Sequence, residues 1–154
     1  MRIITGTARG CRLKTPKGEA TRPTADRIKE SLFNILGRRV EAAHVLDLFA
    51  GTGALALEAL SRGAAHAVMI DRATHDVLVE NARRTKLAQR VELRRGDVYG
   101  HAAELARAGR TFDLIFADPP YAKGDALRVL RAVDSGVLLA ADGLFILEQG
   151  AGEE

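Results

Sequence analysis

Asp118, Pro119, Pro120 and Tyr121 follow one another directly after the apolar run FDLIFA at 112–117. Two consecutive prolines hold the backbone rigid and remove two N–H donors, so the carbonyls there are left as acceptors. An acid, a rigid carbonyl and an aromatic ring therefore meet in one short turn. That combination suits methyl transfer to an exocyclic amine of a planar base or amide, whose lone pair is delocalised and poorly nucleophilic. Hydrogen bonds from the NH₂ group to the Asp118 carboxylate and the Pro119 carbonyl would orient it and enrich it in electron density, while the Tyr121 ring stacks on the base. With an activated methyl donor the proton can leave after attack, so Asp118 need not be a strong base.

A second group lies in DLFAGTGALALEAL at 47–60, a strand-like run entering a glycine turn and then a helix. Gly51 and Gly53 let the backbone turn tightly and approach a ligand, and the helix behind them presents free N–H groups. Taken alone, the spelling G-x-G-x-x-A also fits a dinucleotide turn, with Asp71 about 20 residues on as the acid for a ribose hydroxyl. Asp47 favours a different ligand. An acid inside the end of the strand would repel a pyrophosphate but suits a cationic amino group, which S-adenosylmethionine has. Asp71 would then serve the ribose and Asp97, in RRGDV, the adenine edge, although Asp97 reads equally well as a helix cap.

Positioning these groups requires strands that end where the acids stand. From residue 44 onward, short apolar runs (HVLDLF, AVMID, VELRR, FDLIFAD, GLFILEQ) alternate with helical stretches expected near 54–62, 74–86, 101–108 and 125–132. This pattern predicts βαβ units and a doubly wound α/β layer with a mostly parallel sheet covered on both faces. Ligands bind such sheets along the carboxyl ends of the strands. Before the core, residues 24–36 place Ile28, Leu32, Ile35 and Leu36 at helical spacing, with Pro23 ahead and Asp26 in the first turn. One domain is expected over the 154 residues, with an arm and helix over 1–40 and the α/β core over 41–154.

Charge is concentrated at one end. Residues 1–40 carry ten Lys/Arg against three Asp/Glu and residues 41–154 thirteen against seventeen, for a net charge of +3. Arg2, Arg9, Arg12, Lys14, Lys17, Arg22, Arg27 and Lys29, around a turn-like KGE at 17–19, read either as a surface that meets a polyanion or as a solvated basic hairpin. With 47% hydrophobic and 28% charged residues the chain is globular in composition. No apolar run nears the roughly 20 residues that span a bilayer. The N-terminus lacks a signal-like apolar stretch, so the cytoplasm is expected. Cys11 is the single cysteine, and His44, His66, His75 and His101 lack metal-ligand spacing, so no metal is expected.

DLFAGTG followed by DPPY resembles the class I S-adenosylmethionine-dependent amino-methyltransferases, whose fold is Rossmann-like. MRIITGTARGCRL with TRPTADRIKESLFNIL at 21–36 resembles the RsmD family of bacterial 16S ribosomal RNA (guanine-N2)-methyltransferases, and the match runs through nearly the whole chain. The resemblance implies that Asp47, Phe49, Gly51, Gly53, Asp71, Arg72, Asp97 and Val98 bind S-adenosyl-L-methionine. It makes Asp118, Pro119, Pro120 and Tyr121 the catalytic turn, and it places Arg9, Arg12, Lys14, Arg22 and Arg27, with Thr24, in an arm that holds RNA or covers the cofactor. The partner it implies is 16S ribosomal RNA or a partly assembled small subunit, reached with the base splayed out of its stack. A monomer is expected. Class I enzymes usually continue past the fifth strand with a helix and a hairpin of two strands, whereas this chain stops at EQGAGEE. The last two strands are expected to be missing, leaving an edge to be covered.

Other readings stay open on the sequence. An adenine-N6, cytosine-N4 or glutamine methylase would use the same DPPY. An NAD-dependent oxidoreductase would explain the glycine turn and Asp71 but not Asp47 or DPPY. A non-catalytic RNA-binding remnant would keep the arm alone.

Overall fold

The computed structural model describes residues 1–16, 23–119, 125–135 and 137–148. The elements run α1 (Pro23–Leu36), a 3-10 turn (Gly37–Val40), β1 (His44–Leu48), α2 (Ala54–Ser61), β2 (His66–Asp71), α3 (His75–Arg84), a second 3-10 turn (Ala88–Arg90), β3 (Val91–Arg95), α4 (Val98–Arg107), β4 (Phe112–Ala117), α5 (Asp125–Ser135) and β5 (Leu139–Leu147). Every strand pair is parallel, in the order β3-β2-β1-β4-β5. The chain winds outward from β1 to β3, crosses back and winds outward again through β4 and β5, so the switch point lies between β1 and β4. Among the described residues β3 and β5 form the two sheet edges, and no helix is long and apolar enough to cross a membrane.

Alternate residues of the central strands feed two cores, as the period of two demands. Val45, Met69, Leu114 and Phe116 pack under α1, α2 and α3 with the arm residues Ile3 and Leu13. Leu46, Leu48, Ile70 and Ile115 pack under α4 and α5 through Leu105, Val129 and Val133. The arm folds back on itself around an antiparallel bridge between Arg2 and Arg12, where Ile3 N donates to Cys11 O and Leu13 N to Met1 O, each at 2.9 Å.

Three expectations are corrected. The fourth helix begins at Val98 rather than near 101, because Asp97 caps it, its Oδ2 accepting from Gly100 N at 3.0 Å. The fifth strand begins at Leu139, paired with Phe112 and four residues earlier than the apolar run suggested, and then shifts register against β4 between Phe112 and Leu114. In α1, Ile28 is 58% and Ile35 82% exposed, whereas Lys29, Phe33 and Leu36 are buried. A lysine takes the inward position because an acid awaits it there: Lys29 Nζ lies 3.2 Å from Glu58 Oε1. Lys29 therefore leaves the set of surface cations. Arg22 and the KGE turn lie outside the described residues.

Candidate active site at the strand ends

β1 delivers Asp47 with its side chain on the α2 face, between Met69 of β2 and Phe116 of β4 in register. It is 3% exposed and its Oδ2 accepts from Ala56 N at 3.3 Å. Burial, then the negative charges of Asp118 and Asp71, push the Asp47 carboxyl up to about 8. It forms no ion pair with any described residue. Among the described residues no positive charge repays its burial.

The turn after β1 is bent by three left-handed residues, Phe49 at φ +61°, Gly51 at +61° and Gly53 at +81°. At Gly53 a Cβ would meet Leu78, Leu57 and Met69 at 3.0–3.2 Å, so the glycine is needed for space as well as for φ. Asp71, at the end of β2, holds this turn. Its Oδ2 accepts from Gly51 N at 2.9 Å and its Oδ1 from Ala73 N at 2.8 Å and Thr74 N at 3.2 Å. An ionised carboxylate has about four acceptor sites, so Asp71 retains room for a ligand hydroxyl.

Arg72 is exposed, with Nη2 3.7 Å from Asp97 Oδ1, which leaves Asp97 capping α4 with one oxygen and facing Arg72 with the other. Val98 is 5% exposed and packs into the core directly after the capping Asp97. Phe49 stands edge-on to Tyr99 at 5.9 Å, and the Arg128 guanidinium lies 3.7 Å from the Tyr99 ring centroid, so α5 joins the wall beside the turn.

Asp118 and Pro119 follow β4. Loss of hydration and the neighbouring Glu148 carboxyl, within hydrogen-bonding reach, push Asp118 up to about 6. Pro120 and Tyr121 lie outside the described residues. The registers Leu48↔Ala117 and Ala117↔Leu147 put the next three residues, Phe49, Asp118 and Glu148, in one row at the switch point. The structure thus brings together Asp47, Phe49, Gly51, Gly53, Asp71 and Asp118.

The arm cations Arg9, Arg12, Lys14 and Arg27 are all exposed. What fastens the arm was not read from the sequence. Glu58 of α2, 0% exposed, accepts from Ile4 N (2.9 Å) and Thr5 N (3.1 Å) and pairs with Lys29 and Arg62. Ser61 Oγ accepts from Ala8 N at 2.9 Å. Asn81 of α3 accepts from Lys14 N and donates through Nδ2 to Lys14 O and to Thr52 O at 2.8 Å, tying the arm to the glycine turn. Apart from Arg62, four residues from Glu58, these partners stand 29 to 67 residues apart in the chain, beyond any local pattern. Glu148 did carry a local signal, an acid just past an apolar strand, as at Asp118.

The whole chain, residues 1–154, matches the family model described as Conserved hypothetical protein 95. It is 39% identical over 152 residues to the ribosomal RNA small subunit methyltransferase D of Escherichia coli K12, covering 96% of this chain and 74% of that one. A solved Escherichia coli protein assigned as a methyltransferase superposes with a TM-score of 0.85 at 36% identity, over 97% of this chain and 80% of that one. Another protein assigned as a methyltransferase, solved in complex with SAH, gives 0.68 at 25% identity, over 81% of this chain and 35% of that one. The fold is that of the class I methyltransferases, and the chain belongs to the Conserved hypothetical protein 95 family, the RsmD family.

Proposed function

We propose that this protein methylates the exocyclic N2 amine of a guanine in 16S ribosomal RNA, with S-adenosyl-L-methionine as donor. The observation that carries the reading is the switch point itself. A buried carboxylate without a cation among the described residues, Asp47, and an acid-proline pair, Asp118–Pro119, end on neighbouring strands. The donor set fits the cofactor: Asp47 for its ammonium group, the Gly51–Gly53 backbone for close approach, Asp71 for ribose hydroxyls, and Asp97, with Arg72 and Val98 beside it, for the adenine edge. A pyrophosphate would face Asp47, which argues against a dinucleotide. When bound, the sulfonium supplies an already activated methyl group.

The chain's own residues then have one task, to hold a weakly nucleophilic amine in line. Asp118, ionised above pH of about 6, and the Pro119 carbonyl accept the two amine hydrogens. Pro120 stiffens the turn and Tyr121 stacks on the base. Asp118 receives the proton only after transfer, or passes it to water. Arg9, Arg12, Lys14, Arg22 and Arg27 hold the RNA backbone while the base is splayed out of its stack. The arm over 1–40 and the core over 41–154 act as one domain, supported by Ile3, Leu13 and Phe33 sharing a core with α2. The partner is 16S ribosomal RNA, free or in a partly assembled small subunit, the protein acts as a monomer, and it works in the cytoplasm.

The test is transfer of labelled methyl to small-subunit RNA and particles lacking the modification, followed by digestion to nucleosides. N2-methylguanosine is the expected product. N6-methyladenosine or N4-methylcytidine would keep the chemistry and overturn the substrate, and salt-sensitive RNA binding without transfer would favour a non-catalytic remnant.

A further inference from the structure

The row at the switch point holds one acid more than the transfer needs. Asp118 and the Pro119 carbonyl match the two hydrogens of an amine, yet Glu148 stands beside them. It is the residue after β5, and its N–H donates to Ala117 O at 2.9 Å, which fixes its backbone against the last residue of β4. Its carboxyl lies within hydrogen-bonding reach of Asp118 and its side chain is exposed to the space beyond the strand ends. No described cation pairs with Glu148, and Asp47, the other acid nearby, is buried and bonded to Ala56.

We infer that Glu148 is a specificity-determining residue of this site, its carboxylate accepting the ring N1–H of guanine next to the amine that Asp118 and Pro119 hold. The inference rests on the proposed function and deepens it. The chemistry of the three amino bases decides the matter. In adenine and cytosine the ring nitrogen adjoining the amine on the Watson–Crick edge is an acceptor, and an ionised carboxylate there faces a lone pair. In guanine that nitrogen carries a hydrogen, so the edge offers three N–H hydrogens to three acceptors: Asp118, the Pro119 carbonyl and Glu148. A carboxylate only accepts. A bound base covers Glu148 from water, and an acceptor left without a partner under it is what makes hydrogen-bonding sites selective.

The experiment uses the full chain and the RNA segment in which the methylated guanine has been located, with either guanosine or 2-aminopurine at that position. 2-Aminopurine keeps the 2-amine and lacks the N1 hydrogen. Native protein is expected to prefer guanosine in kcat/KM by about tenfold to a hundredfold. Glu148→Gln, whose amide can donate to the bare ring nitrogen, is expected to bring the two substrates within about threefold of each other, while Glu148→Asp, which keeps the charge, restores most of the preference. Affinity for S-adenosylhomocysteine, unchanged in each variant, serves as the folding control. A guanosine preference that survives Glu148→Gln, with both substrates slowed alike, would show that Glu148 acts only through Asp118 and would overturn the inference. Absence of guanine methylation by the native protein would instead overturn the proposed function and the inference with it.

Discussion

If Asp47 holds the cofactor's ammonium group as proposed, cofactor binding is a proton-linked event. Its carboxyl is pushed up to about 8 by burial between Met69 and Phe116, with Asp118 and Asp71 adding to the rise. Only the ionised form attracts an ammonium group, and the apparent affinity falls with the competent fraction. That fraction is about one hundredth at pH 6 and about one tenth at pH 7, so affinity for S-adenosylhomocysteine should rise close to tenfold over that unit, with about 0.9 proton released per complex at pH 7. Titration calorimetry in buffers of different ionisation enthalpy reads both quantities. The sign for stability is opposite. A carboxyl whose folded value lies above its unfolded value of 3.8 keeps a proton that the unfolded chain releases, so stability falls as pH rises from about 4 to about 8. At pH 7 the gap is worth about 4 kcal/mol at 1.36 kcal/mol per unit. Asp47→Asn should therefore stabilise the ligand-free protein at pH 7 by about 2–4 kcal/mol in urea unfolding while weakening the ligand at least tenfold and abolishing the pH slope. Because Asp118 also titrates near 6, the slope is to be repeated in Asp118→Asn, where it should persist. A native affinity flat between pH 6 and 7, or a slope that survives Asp47→Asn, would show that Asp47 does not hold the ammonium group.

Asp118 makes a separate prediction: at saturating cofactor the transfer rate should climb with pH through about 6 and then level, and Asp118→Asn should lose that limb in a single-turnover pH profile. Burial holds Lys29 below its ordinary range despite Glu58, so desolvation outweighs their attraction. Urea unfolding should accordingly find Glu58→Leu, which strands two backbone amides and two cations, costing about 3–5 kcal/mol, and Lys29→Met about 0–2 kcal/mol. A Cβ at Gly6, where φ is +94°, would stand 1.8 Å from Ser61 O, so Gly6→Ala should unseat the arm. In filter binding that variant is expected to weaken RNA at least tenfold, with cofactor affinity within about twofold of native.

The parts of the fold that were legible are those written locally. Strand-length apolar runs located all five strands, and β3 began and ended at the expected residues, Val91–Arg95. The acids Asp47, Asp71 and Asp118 were legible because each sits at or beside the end of such a run. Asp97 shows how two local readings can both hold, since it caps α4 with one oxygen and leaves the other toward Arg72. What escaped was made by tertiary contact. Apolar spacing suggested that Ile28 and Ile35 turn inward, but the inward face of α1 follows Lys29, whose partner Glu58 lies 29 residues on. Glu58 and Asn81 look like ordinary helix surface in the sequence and are 0% exposed, because the arm folds over them and spends its backbone amides on their side chains. Glu148 was legible as an acid just past an apolar strand, but its place beside Asp118 is set by the register of β5 on β4.

On the proposed function, Asp118 serves the amine and not the cofactor. The direct measurement is the single-turnover rate of methyl transfer to small-subunit RNA by Asp118→Ala, with S-adenosylhomocysteine affinity determined on the same preparation. The expected result is a rate reduced by about 10²–10⁴ with affinity within about twofold of native. Transfer at the native rate, or a loss of transfer fully matched by a loss of cofactor binding, would contradict it.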